Sequence, residues 1–157
     1  MKWILIIVLV SVIMLIAYAV SEQYKEKFDF YNNLKTFLNQ FKINLNFKQE
    51  KILNFLNQTN SKKQFKFFIS SYKEYLKTNE LNLTNIKILN EEEINQLTEM
   101  IKNIGKFDSI NEIKQIETFL VEIDIKLKKA EKDKEKLCPM ILKLSLLFAI
   151  ALAILLI

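Results

Sequence analysis

The sequence has 157 residues, 50% hydrophobic and 26% charged, with a net charge of +5 that comes from Lys alone, because Arg and His are absent. It holds one Cys, one Gly and one Pro: too few for a disulfide framework, a zinc site of cysteines or histidines, a Ser-His-Asp triad or a glycine-rich phosphate cradle. The 23 lysines mix with glutamates and form no block interleaved with aromatics, so the composition points to a non-enzyme without a cofactor and away from nucleic acid. Lys in place of Arg, with Asn, Ile and Phe over-used, reads as the codon bias of an AT-rich genome.

In chain order, Trp3 to Val20 is an apolar run in which Ser11 is the only polar side chain. As a helix it reaches about 27 Å, close to the thickness of a bilayer core. Trp3 and Tyr18 stand near its ends, where amphipathic aromatics favour the headgroup layer. The next stripe, Tyr24, Phe28, Tyr31, Leu34, Leu38, Phe41 and Leu45, recurs at three and four and continues that helix. Ile52, Phe55 and Leu56 mark a short second helix, and Phe65, Phe68, Ile69, Tyr72, Tyr75 and Leu76 a third.

After the Asn-rich stretch 79–85, Ile94, Leu97, Ile101 and Ile104 mark a fourth helix. Ile113, Ile116, Leu120, Ile123, Leu127 and Ala130 mark a fifth, which leads into a second apolar run, Leu137 to Ile157. Only Lys143 interrupts that run, within snorkelling reach of the interface. Pro139 sits where such a helix begins or bends. Capping boxes are expected at Ser61–Gln64, Asn90–Glu93 and Ser109–Glu112, and Gly105 to Asp108 as a turn between two helices. No alternation long enough for a strand appears.

The expected fold is therefore all-α: a compact helical bundle over 21–136, flanked by transmembrane helices at 1–20 and 137–157. The phenylalanines at 28, 37, 41, 47, 55, 65, 67, 68 and 107 are expected as core rather than as a ligand box. Glu91, Glu92 and Glu93 fit a helix N-terminus better than a cation site. Cys138 reads as a small apolar residue at the membrane edge, with palmitoylation as its other use.

Lysines decide the topology. Lys25, Lys27 and Lys35 follow the first span, and Lys126, Lys128, Lys129, Lys132, Lys134 and Lys136 precede the second, against Lys2 alone on the far side. The positive-inside rule then puts the middle in the cytoplasm and both termini outside. The rival reading makes the first run a signal peptide cleaved after Ala17-Tyr18-Ala19, which would leave a tail-anchored surface protein. A generic membrane-anchored interaction protein, such as a small anchor or a phage lysis factor, is the other alternative.

The C-terminal half resembles the stage III sporulation protein AB family of endospore-forming bacteria. The resemblance lies in Ile104-Gly105, Asp108, Glu112, Leu120, Ala130, Met140, Leu144 and the closing Ile154-Leu155-Leu156-Ile157. Residues 34–56 resemble the family's first two helices, with Leu45-Asn46-Phe47 where Ile-x-Tyr is usual. Departures are Glu112 for Gln, Lys51-Ile52 for Pro-Leu, and Ser145, Phe148 and Ala149 for glycines of the last span, which puts close helix approach there in question. The resemblance implies a cytoplasmic domain similar to the helical domain of the F-type inner-membrane platform protein of type II secretion. It also implies a place in the mother-cell membrane facing the forespore, within the channel complex joining the two cells. The implied partners are the bilayer, a stage III AA-type ATPase and other stage III channel proteins, with room for self-association, and the implied role is a scaffold without catalysis. Such a role suits Gly105, Lys106, Phe107 and Asp108 as a partner-binding turn, with Lys106 and Phe107 exposed; an ordinary interhelical turn is the alternative for the same residues.

Overall fold

Apolar residues spaced by three and four form helices throughout the computed structural model, which describes residues 2–47, 52–59, 63–104 and 109–156. The order is α1 (Lys2–Phe47), α2 (Ile52–Gln58), α3 (Lys63–Thr78), α4 (Glu91–Asn103) and α5 (Ser109–Leu156). No strand occurs among the described residues. The chain forms two units, one of residues 29–128 and one of residues 1–28 with 129–157.

The core of the 29–128 unit is aromatic. From α1, Phe30, Tyr31, Leu34, Phe37, Leu38 and Phe41 are all buried, joined by Leu56 of α2 and by Phe65, Phe68, Ile69 and Tyr72 of α3. The Phe37 ring lies 5.4 Å from Phe55, 6.0 Å from Phe68 and 6.2 Å from Phe65, so one side chain of α1 meets both α2 and α3. Most of these pairs are tilted or edge-on, which sets ring hydrogens against ring faces and adds about 0.5–1.5 kcal/mol per pair beyond burial. Phe30 and Phe37 lie between the members of the stripe expected on α1, so the buried face is wider than a single row. Tyr24, Phe28 and Leu45 at the ends of that stripe are only half-buried. Phe67 departs from the core expectation: it stands on the outer face of α3 and is 45% exposed. Phe47 and Phe107 lie outside the residues whose side chains are described.

Local chemistry ends the helices. At α4 the Asn90 side chain accepts from the Glu93 N–H at 2.8 Å while the Glu93 carboxylate accepts from the Asn90 N–H at 2.9 Å, the expected reciprocal box. Ser61 and Lys62 of the first expected box lie outside the described residues, as does the Ser109 side chain of the third. α3 stops at Asn79, whose φ of 61° is a left-handed conformation that Asn tolerates better than most residues, and whose N–H still reaches the Tyr75 carbonyl at 2.8 Å.

The segment from Asn79 to Asn90 is polar in composition yet not a loose loop. Asn82 accepts from both the N–H and the hydroxyl of Thr84, and Ile86 N–H donates to the Leu83 carbonyl. This folded turn presses Leu83, Ile86 and Leu89 into the core. From α4 come Leu97, Met100 and Ile101, and from α5 Ile116 and Ile123.

The other unit packs on small side chains. Ala17 and Ser21 of α1 and Ala130, Cys138 and Ala149 of α5 are buried, and the Cys138 thiol donates to the Ser21 carbonyl at 3.4 Å. Ala149 stands at one of the positions where the family resemblance would place a glycine. At 1% exposure Ala149 lies on the packed side of α5, whereas Ser145 is half-buried and Phe148 exposed, so of the three positions Ala149 alone offers a small, buried side chain for close approach. Outward, Trp3, Ile7, Leu15, Leu147, Ile154 and other large apolar residues are exposed. Both α1 and α5 are long and apolar enough to cross a membrane. Pro139 sits inside α5 rather than at a break. Its missing N–H leaves the carbonyl four residues back at exposed Glu135, on the charged side of the apolar run, where solvent can satisfy it.

Removing the ring at the centre of the 29–128 unit should be costly. Phe37→Ala is expected to destabilise it by about 3–5 kcal/mol, whereas Phe67→Ala should stay within about 0.5 kcal/mol of the parent. Denaturant titration of the detergent-solubilised protein, followed by circular dichroism, compares the two; equal losses would contradict the central position of Phe37.

Candidate partner-binding surface

Within the 29–128 unit, α4 and α5 together form an exposed surface with chemistry of its own. The capping box at Asn90 fixes where α4 starts, so its helical phase sends Leu97, Met100 and Ile101 inward. The same phase leaves Glu91, Glu92, Asn95 and Glu99 on the outer side as an acidic face. Glu93 is engaged in the cap, and all three adjacent carboxylates lie in the first turn of α4, where the helix dipole favours negative charge. No cluster of three or more metal-binding side chains is found among the described residues.

On α5, Glu112, Ile116 and Ile123 face inward. The opposite side carries a second apolar stripe: Ile110, Val121 and Ile125, each more than 60% exposed. Between the helices runs a groove walled by Gln96, Glu99 and Asn103 of α4 and by Phe119, Ile125 and Lys126 of α5. Lys126 donates to the Gln96 side-chain oxygen across its floor. The groove offers apolar carbon flanked by carboxylates, a combination suited to a protein partner that brings basic residues around an apolar anchor.

Ion pairs hold the α1 and α5 segments of this unit in register. Asp124 accepts from Lys35 of α1 at 2.5 Å and from Lys128, one turn along α5, at 2.9 Å. Lys42 of α1 reaches Glu117 at 3.4 Å. The two lysine hydrogen bonds, Lys35 first, hold the Asp124 carboxyl below the usual aspartate range. Burial, and then the neighbouring Glu93 carboxylate, pushes the Tyr31 hydroxyl well above the ordinary tyrosine value. Tyr72 is pushed the same way by burial and then by Glu112. Beside Tyr31 a recess of about 20 Å³, bounded by Leu34, Glu93, Leu97 and Ile123, has room for no more than one water.

Gly105, Lys106, Phe107 and Asp108, the partner-binding turn expected from the sequence, lie outside the described residues. On their N-terminal side, Ile104 is buried and extended, with its N–H on the Met100 carbonyl, and Asn103 closes one end of the groove. Gln96, Phe119 and Ile125 escaped the sequence reading. Ile110, Val121 and Ile125 recur at eleven and four, about three turns and one turn, which is a legible signal once α5 is known to bury its other side. Cys138, in the other unit, is buried with its thiol bonded to a carbonyl, a setting in which acylation would require the helices to part.

The family model described as stage III sporulation protein AB matches residues 2–157. No curated protein matches the chain, and no solved structure does.

Because its native pKa lies below the unfolded value of about 3.9, Asp124 contributes stability above that pH. The contribution is lost as pH falls through the lower native value. Asp124→Asn should therefore be less stable than the parent at neutral pH and converge with it in acid. Denaturation midpoints measured from about pH 7 down to about pH 3 check this; a gap that stays constant would assign the loss to packing instead.

Proposed function

Since the chain belongs to the stage III sporulation protein AB family, whose role lies in stage III of sporulation, we propose that it is a membrane scaffold of the mother-cell-to-forespore channel, without catalysis of its own. In this reading residues 1–20 and 137–157 cross the mother-cell membrane and 21–136 fold in the cytoplasm, with both termini outside. The bundle receives a secretion-type ATPase, the stage III AA-type protein, and couples it to the channel. Other stage III channel proteins and further copies of the chain are its neighbours in the membrane.

The observation that carries the proposal is the family match along the whole chain, both apolar helices included. The groove of α4 and α5, where Phe119 and Ile125 lie beside Glu99 and Glu122, supports a protein partner. Six lysines between Lys126 and Lys136, with three more at 25, 27 and 35, support a cytoplasmic middle. Burial of Ala17 and Ser21, with the Cys138 thiol on the Ser21 carbonyl, supports a first helix that stays with the protein rather than leaving as a signal peptide.

Topology is tested with a single accessible cysteine. Asn85→Cys in a Cys138→Ser background should resist a membrane-impermeant maleimide in intact cells and react after permeabilisation. Labelling of intact cells would overturn the cytoplasmic placement. Partner binding is tested at the groove: Ile125→Asp should abolish co-purification of the AA-type ATPase while leaving the circular dichroism melt unchanged. Undiminished recovery of the ATPase would remove the groove from the interface.

A further inference from the structure

α5 approaches its apolar end with four lysines on one side. Lys129, Lys132, Lys136 and Lys143 are spaced by three, four and seven, which places them within a wedge of about 60° on an α-helix. All four are exposed. Neighbouring cations are engaged: Lys134 Nζ lies 3.6 Å from the centre of the Phe28 ring, and Lys25 pairs with Glu22 at 3.5 Å. Among the described residues none of the four stripe lysines takes part in an ion pair. Asp133 and Glu135 flank the wedge, one at each edge, and Glu131 lies round the helix from it.

Below the lysines the same face turns apolar. Met140, Leu147, Ile150 and Ile154 continue it, each exposed. The side that α5 buries, with Ala130, Cys138 and Ala149, is turned away from this face. Lys143, about 10 Å further along the axis than Lys136, has a stem long enough to raise its ammonium back toward the other three. One face thus presents ammonium groups at one level and bare hydrocarbon beneath, the order in which a phospholipid presents its phosphate and its acyl chains.

We propose that this face of α5 binds the headgroup of an anionic phospholipid, with Lys129, Lys132 and Lys136 around the phosphate, Lys143 beneath it, and the acyl chains along Met140, Leu147 and Ile150. The inference rests on the membrane reading above. Lysine is well matched to a phosphate, because its ammonium is a compact point charge with three donors, and cationic clusters beside a span attract anionic lipid with about 1 kcal/mol per residue. A zwitterionic headgroup offers the same phosphate with its charge cancelled, so the site discriminates by net charge.

The test uses the full chain reconstituted in phosphatidylcholine vesicles, with spin-labelled phosphatidylglycerol and spin-labelled phosphatidylcholine compared by electron spin resonance. The immobilised fraction should favour phosphatidylglycerol by about fivefold or more, the ratio that a single lysine near the surface supports. Raising the salt should reduce that ratio. In Lys129→Gln/Lys132→Gln/Lys136→Gln it should fall towards unity. Lys66→Gln/Lys73→Gln/Lys77→Gln on α3 removes the same charge elsewhere and should leave it intact. No preference in the parent, a preference surviving the α5 triple variant, or an equal loss in the α3 variant would each overturn the proposal. Carbonate washing of native membranes separates this from the premise: a protein that stays in the pellet yet shows no lipid preference defeats the headgroup site alone, and one that is stripped off defeats both.

Discussion

The Phe37 ring is where α1, α2 and α3 meet, and the geometry of the 29–128 unit follows from keeping it dry. Phe55, Phe65 and Phe68 close round it from two helices, while Phe41 stacks one turn along α1. A short helix such as α2, with seven residues, is not stable by itself. It persists because it packs against α3 and because Phe55 and Leu56 are anchored in this cluster. The ion pairs from Lys35 and Lys42 of α1 to α5 are partly exposed, so water screens them and they set register more than they hold the bundle together.

α1 and α5 each change their packing chemistry along their length, because they serve two environments. In the 29–128 unit they contribute large rings and branched chains, which is how burial is driven from water. In the other unit their buried positions include Ala17, Ser21, Ala130, Cys138 and Ala149, while Leu, Ile, Val and Phe mostly face outward. Lipid tails are as apolar as leucine, so hydrophobicity gives no gain in pairing two helices there. Close approach between small side chains, and a bond such as that from Cys138 to the Ser21 carbonyl, supply the attraction instead.

The two surfaces singled out differ in the same way. The groove of α4 and α5 sets Phe119 and Ile125 beside the carboxylates of Glu99 and Glu122, a mix suited to a protein surface in water. The lysine face of α5 is basic above hydrocarbon, fitted to a lipid. The chain separates these two kinds of surface along the sequence of a single helix, α5.

Much of the fold is legible in the sequence. The two apolar runs, the helical periods, the cap at Asn90 and the helix stop near Asn79 are consequences of local spacing and local hydrogen bonding, which the sequence carries in full. The family resemblance rested on short motifs of the same local kind. What tertiary structure decided was which of several apolar faces is covered. Phe67 and Phe68 are adjacent and chemically identical, yet one is exposed and the other buried, because only one faces Phe30 and Phe37. Leu83, Ile86 and Leu89 sit in an Asn-rich stretch that composition marks as loop, and become core because the bundle leaves room for them. Ile125 becomes part of a groove because Ile123, two residues away, takes the core side of α5. Spacing along one helix determines that such faces exist; the positions of the neighbouring helices determine which face is dry.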